Sequence, residues 1–103
     1  MNFMGYVRPD GRVGSRNLVG ILPSVTCAND VAQAIVTEVQ GTVGFFHHQG
    51  CCQLPPDLDR VTETLTSLGC SPNLAAVLIV SLGCEGTDYE KMYSAIEATG
   101  KPV

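Results

Sequence analysis

Four of the five cysteines in this 103-residue chain sit at points where the chain should be turning after a strand. Cys27 follows Thr26, Cys51 and Cys52 close the run His47-His48-Gln49-Gly50-Cys51-Cys52, and Cys84 lies between Gly83 and Glu85. Thiolates and imidazoles together suit Zn, Fe or an iron–sulfur cluster. Taken singly, a free cysteine is as readily a small buried hydrophobe. No CxxC pair occurs, so neither a zinc ribbon nor a thioredoxin-type motif is supported. Cys51 and Cys52 are adjacent and are not expected to hold one ion together. His47 and His48 point to opposite faces of an extended chain, so at most one should face a site and the other should be packed or on the surface. Gly50 and Gly83 suit loops of close backbone approach, but there is no GxGxxG and no P-loop lysine. Arg8, Arg12 and Arg16 form a local basic cluster of the kind that holds a small anion or a carboxylate.

The elements that must position these residues alternate. Residues 1–17 form a polar arm with a tight turn at Pro9-Asp10-Gly11. Leu18–Leu22 is a short apolar strand that Pro23 should end or leave at an edge. Asn29–Gln40 carries Val31, Ala32, Ile35 and Val39 at helical spacing and stops at Gly41. Thr42–His47 is a second strand. Pro55 and Pro56 lead into a helix over Asp57–Leu68 with the stripe Leu58, Val61, Leu65 and Leu68, and Gly69 stands where a C-terminal cap is expected. Ala75–Leu82 is aliphatic nearly throughout, the pattern of a strand buried on both faces. Thr87-Asp88-Tyr89-Glu90 matches a capping box before a helix that should bury Tyr89, Met92, Tyr93 and Ile96 and end at Gly100. Lys101–Val103 reads as the start of a fourth strand.

Strand–helix alternation predicts a single α/β domain over residues 1–103: a Rossmann-like or flavodoxin-like parallel sheet in three layers, with helices on both faces. Ligands of such sheets bind beyond the carboxyl ends of the strands. The cysteine-bearing loops fall at three of those ends and should converge, while Cys70 stands apart. The chain breaks off at a strand, which suggests part of a longer protein.

Hydrophobic residues make up 45% and charged residues 16%, the balance of a globular chain rather than a disordered one. A net charge of −4 gives no support to nucleic-acid binding. Leu74–Leu82 is too short to span a bilayer. Met1–Gly14 lacks the basic and apolar regions of a signal peptide, so a cytoplasmic protein is expected. An odd number of cysteines in such a protein disfavours a disulfide framework.

Gly5-Tyr6-Val7-Arg8-Pro9-Asp10-Gly11-Arg12-Val13-Gly14-Ser15-Arg16-Asn17 resembles the GYxRxDGRxGxRN opening of the main domain in altronate and galactarate dehydratases. His48-Gln49-Gly50-Cys51-Cys52 is similar to the HQGGC stretch of that family, with Cys51 in place of its second glycine. Ser81-Leu82-Gly83-Cys84-Glu85 is similar to its SLGCE stretch, and Cys27 falls where the family has a cysteine after the first strand. The resemblance runs from Gly5 to about Asp88. The short stretch between the first helix and the HQ segment is similar instead to the large subunit of sulfolactate sulfo-lyase, a relative that eliminates sulfite rather than water.

The resemblance implies elimination of a β-substituent from a 2-hydroxy carboxylate such as altronate or galactarate, assisted by a divalent metal, Fe2+ before an iron–sulfur cluster. On that basis His48 is expected to be a metal ligand or the general acid/base. Cys27, Cys52, Cys84 and Glu85 are the further candidate ligands, although Glu85 fits a helix-end partner equally well. Arg16 is a candidate catalytic residue. Arg12 and Arg16 would clamp the substrate carboxylate in two-point fashion if the arm folds over the strand ends, with Asn17, Gln49 and Gly50 also binding substrate. Expected partners are the sugar-acid substrate and the remainder of the enzyme or a companion small subunit, with self-association allowed. Neither nucleic acid nor membrane is expected. A non-catalytic anion-binding α/β module is the competing reading.

Overall fold

The computed structural model describes residues 2–51, 53–83 and 86–103. Its first element is one that the sequence does not announce. β1 (Tyr6–Val7) pairs antiparallel with β2 (Val13–Gly14), so the arm is a small hairpin rather than irregular chain. The turn falls where Pro9-Asp10-Gly11 predicts it, closed by Gly11 N–H donating to the Arg8 carbonyl at 2.9 Å. Two-residue strands are too short to show an alternating pattern, which is why only the turn is legible.

β3 (Leu18–Pro23) follows, then a 3-10 turn (Thr26–Ala28), α1 (Asn29–Glu38) and β4 (Thr42–Gly44). After these come α2 (Pro55–Gly69), β5 (Leu74–Val80) and α3 (Tyr89–Glu97). The sheet is parallel, in the order β4-β3-β5. β3 is therefore central, and Pro23, as its last residue, ends it. α2 begins two residues earlier than expected, because Pro55 and Pro56 occupy its first turn, where no N–H is needed.

Leu22, Leu65, Leu74, Val77, Met92 and Ile96 form the core between the sheet and the pair α2–α3. Ile21 and Ala32 are buried apart from that cluster, beneath α1. Helices thus cover both faces of the parallel sheet, as alternation predicts. Gly69 does not cap α2 in a left-handed conformation. It is the last helical residue, and a Cβ there would run into Ile96, so it sets the close approach of α2 and α3.

Three burial expectations are corrected. β5 is covered on the α2–α3 face only, and Leu78 on the other face is 45% exposed, because α1 lies over β3 and β4. α1 buries Ala32 while Val31 and Val39 stay exposed. α3 buries Met92 and Ile96 but leaves Tyr89 and Tyr93 exposed. Residues 101–103 are not a strand, yet Val77 N–H donates to the Pro102 carbonyl at 3.0 Å, so they run along the free edge of β5. No helix among the described residues is long and apolar enough to cross a membrane.

Candidate functional site

At its carboxyl end β3 turns into α1 and back to β4, while β5 leads into α3 on the opposite side, so the strand order reverses between β3 and β5. Such a reversal opens a crevice beyond the strand ends. Three loops meet there and are tied backbone to backbone. Ser24 N–H donates to the Val80 carbonyl at 3.0 Å, Thr26 N–H to the Gln49 carbonyl at 2.9 Å and Gly86 N–H to the Gly50 carbonyl at 2.8 Å. Side chains complete the weave: Asn29 Nδ2 donates to the His47 carbonyl at 2.6 Å and Thr87 Oγ1 to the Ser24 carbonyl at 2.6 Å. Gly50 makes this approach possible. Its φ is 98°, and a Cβ there would lie 2.7 Å from the Ser24 carbonyl oxygen. The expected convergence of three loops is therefore present.

The two histidines separate, although β4 ends at Gly44 and neither lies in a strand. His47 accepts the Gln49 N–H on Nδ1 at 3.1 Å, and its Nε2 lies 2.7 Å from the Pro23 carbonyl. A nitrogen that accepts cannot carry the proton, so His47 is the Nε2–H tautomer and staples the loop to the end of β3. His48 is exposed and has no hydrogen-bond partner among the described residues. Gln49 pairs through its side chain with Gln53, whose Oε1 also accepts from Gly50 N–H at 2.8 Å.

Cys27 is exposed in the turn leading into α1, and Cys51 is exposed in the HQ loop. Cys52, Cys84 and Glu85 lie outside the described residues. Among the described residues no three potential metal ligands gather. Cys70 is elsewhere, as expected, with its Sγ 3.9 Å from the Ala95 carbonyl. The sequence reading missed Asn29, Gln53 and Thr87. Asn29 Oδ1 is a buried oxygen with no partner among the described residues, although its Nδ2 holds the His47 carbonyl.

Arg12, Arg16 and Asn17 are not brought to this edge. The hairpin docks at the amino ends of the strands, one β3 length away, roughly 17 Å at about 3.3 Å per residue. The cause is the C-terminus of α2, where the last carbonyls lack helical partners and carry the negative end of the dipole. Arg8 Nε donates to the Pro72 carbonyl at 2.7 Å, while its other nitrogens reach Asn17 Oδ1 at 3.0 Å and the Arg16 carbonyl at 2.8 Å. Arg12 donates to the Cys70 carbonyl and pairs with Asp10 at 2.9 Å. Lys101, only 5% exposed, donates to the Gly69 and Ser71 carbonyls at 3.1 and 2.6 Å. Burial pushes its ammonium below the usual lysine value. The Arg12 N–H bonded to Asp10 holds that carboxyl below its ordinary 3.8. The backbone N–H groups of Ser15 and Arg16 both face Asn73 Oδ1.

Beside the HQ loop a cleft of about 530 Å³ opens between residues 45–53 and the outer side of α2. Phe45, Phe46, Val61 and Leu65 make its apolar wall, and Gln49, Gln53, Asp57 and Arg60 supply its polar groups.

The family described as D-galactarate dehydratase/altronate hydrolase, second domain, matches residues 5–103. The (2R)-sulfolactate sulfo-lyase subunit beta of Chromohalobacter salexigens is 43% identical over 101 residues, 98% of this chain and 25% of that protein. The altronate dehydratase of Escherichia coli is 39% identical over 90 residues, 78% of this chain and 18% of that protein. The altronate dehydratase of Bacillus subtilis is 30% identical over 105 residues, 92% of this chain and 21% of that protein. The chain thus spans a quarter or less of the length of these relatives. No solved structure matches it at a significant level.

Proposed function

The chain belongs to the D-galactarate dehydratase/altronate hydrolase second-domain family, and from that premise we propose that it forms part of a lyase that removes a β-substituent from a small 2-hydroxy carboxylate. The observation that carries the proposal is the weave of three loops at the carboxyl edge, which fixes its backbone while leaving His48 and Cys27 exposed. The leaving group we favour is sulfite. The sulfo-lyase subunit is 43% identical over 98% of the chain, whereas the altronate dehydratases are less identical over less of it. Water leaving from a sugar acid is the second reading, supported by the two altronate dehydratases.

In this reading His48 takes the proton α to the carboxylate. The C–H electrons form the double bond to the β-carbon, and the bond from that carbon to its substituent breaks with its electron pair. Sulfite departs as the anion, or hydroxide departs with an added proton as water. The resulting enol gains a proton at the β-carbon and loses the one on its hydroxyl, becoming the 2-keto acid. A positioned imidazole contributes about 10²- to 10⁴-fold to such a proton transfer. The proposal includes a divalent metal, Fe2+, which would be held by Cys27, Cys52, Cys84 and Glu85 while His48 stays unligated as the base, and which would stabilise the enediolate charge. The described residues by themselves do not assemble a metal centre, so no step above passes through it. A companion small subunit is part of the same proposal, since the sulfo-lyase relative is by name a beta subunit.

The test uses the full-length parent protein, purified without oxygen, offered a β-sulfonated 2-hydroxy acid and, separately, altronate. Keto acid appearing with equimolar sulfite supports the favoured reading. Keto acid from altronate alone supports the dehydratase, and none from either overturns the proposal. His48→Ala should lower kcat by at least about 100-fold. Elemental analysis of the same preparation should show one or more iron per chain, reduced in Cys27→Ala.

A further inference from the structure

We infer that the cleft between residues 45–53 and α2 binds the carboxylate end of a 2-hydroxy acid, with Arg60 as the guanidinium that receives it. The inference rests on the lyase reading for its ligand class but not for its geometry. The chain has six lysines and arginines. Arg8, Arg12 and Lys101 are engaged on carbonyls at or just beyond the C-terminus of α2, and Arg16 lies with them at the amino edge. Lys91 stands in the first turn of α3 and does not line that cleft. Arg60 is the remaining cation, and it lines the cleft beside the HQ loop. Among the described residues its guanidinium has neither an ion pair nor a hydrogen bond.

The rest of the lining defines the ligand. Phe45, Phe46, Val61 and Leu65 keep water from one side, which strengthens a guanidinium–carboxylate pair relative to open solvent. Gln53 spends its amide on Gly50 and Gln49, but the Gln49 side-chain N–H₂ keeps its donors. Asp57 also lines the cleft. Its carboxylate opposes a second negative charge and accepts from a hydroxyl, so the part of the ligand that enters should carry one carboxylate and at least one hydroxyl. Such a site replaces the carboxylate clamp assigned to Arg12 and Arg16 with one at the carboxyl edge, next to His47 and Gln49.

The experiment follows the Arg60 Nε–Hε and Gln49 side-chain resonances of the chain during titration with D-gluconate. Acetate, which lacks the hydroxyl, and sorbitol, which lacks the carboxylate, serve as comparisons. Saturable shifts with gluconate, weaker with acetate and absent with sorbitol, are expected. Arg60→Met should raise Kd at least about tenfold, Arg60→Lys should restore part of it, and Lys91→Met should leave it unchanged. Identical titrations for the parent and Arg60→Met, or shifts centred on Arg12 and Arg16, overturn the inference. In the full-length protein Arg60→Met should raise KM while kcat falls less. Lyase turnover with an unchanged KM in that variant removes Arg60 and leaves the lyase reading intact. Gluconate bound at Arg60 in a parent with no lyase activity does the reverse.

Discussion

The hydroxyl of Thr87 donates to the Ser24 carbonyl at 2.6 Å, with both residues buried. The sequence pattern Thr87-Asp88-Tyr89-Glu90 offers Thr87 as the helix cap. The structure gives that task to Asp88, whose side chain accepts from Lys91 N–H at 2.9 Å. Threonine and aspartate before a helix are both favoured caps, and the distant carbonyl that claims one of them is invisible in sequence. The same limit applies to His47 and His48: alternation says that one is packed, and only the Pro23 carbonyl says which. Thr87→Val keeps the shape and removes the donor, so it should cost about 1–3 kcal/mol. A lowered urea midpoint at unchanged m is expected, and an unchanged midpoint would mean that the Ser24 carbonyl finds another partner. Gly50→Ala should also destabilise, by more than about 1 kcal/mol, because it meets both a left-handed φ and the Ser24 carbonyl. Loss of the Gly86 and Gly50 amide protection in hydrogen exchange would mark the HQ loop as the part that gives way.

At the scale of elements, the arm and α2 explain one another. A helix that ends at Gly69 leaves carbonyls facing outward, and Arg12 and Lys101 arrive from two distant parts of the chain to meet them. The basic spacing of Arg8, Arg12 and Arg16 is legible in sequence as an anion site, and for Arg12 that anion is a helix end, while Arg8 takes the Pro72 carbonyl in the loop beyond it. Asp10 fixes the Arg12 fork within the turn, and its carboxyl is held below 3.8 mainly by the Arg12 N–H. A carboxyl lowered by folding lends stability above its unfolded value and loses it as pH falls through the folded one. The hairpin should therefore be fully braced at neutral pH and loosen only on acidification below 3.8. A carboxyl-carbon titration of Asp10 should give a midpoint under that value, while exchange of the Arg12 amide should quicken over the same range. Arg12→Ala keeps the backbone N–H and removes only the guanidinium, so the Asp10 midpoint should rise part of the way towards 3.8. A full return to 3.8 would show that the side chain, not the N–H, is the main cause.

On the scale of the whole molecule, alternation of elements is enough to give a parallel sheet with helices on both faces, since crossovers have one hand. The convergence of three loops is legible from it, whereas the order β4-β3-β5 is given by the structure alone. Burial is where pattern and structure part. β5 has the composition of a strand covered twice, yet only α2 and α3 cover it, and Leu78 stays 45% exposed on the side where Ile21 is buried under α1. The relatives that match this chain are at least four times as long as the matched stretch, so a two-sided pattern on a one-sided strand fits a surface that further polypeptide covers. Leu78→Lys separates the two situations. In this chain the side chain already meets water, so the change should move stability by no more than about 0.5 kcal/mol. In the full-length protein the same lysine would lose its solvent beneath covering chain, and a cost of several kcal/mol is expected for an unpaired buried charge. Equal and small effects in both proteins would show that the face of β5 opposite α2 and α3 is open to water throughout.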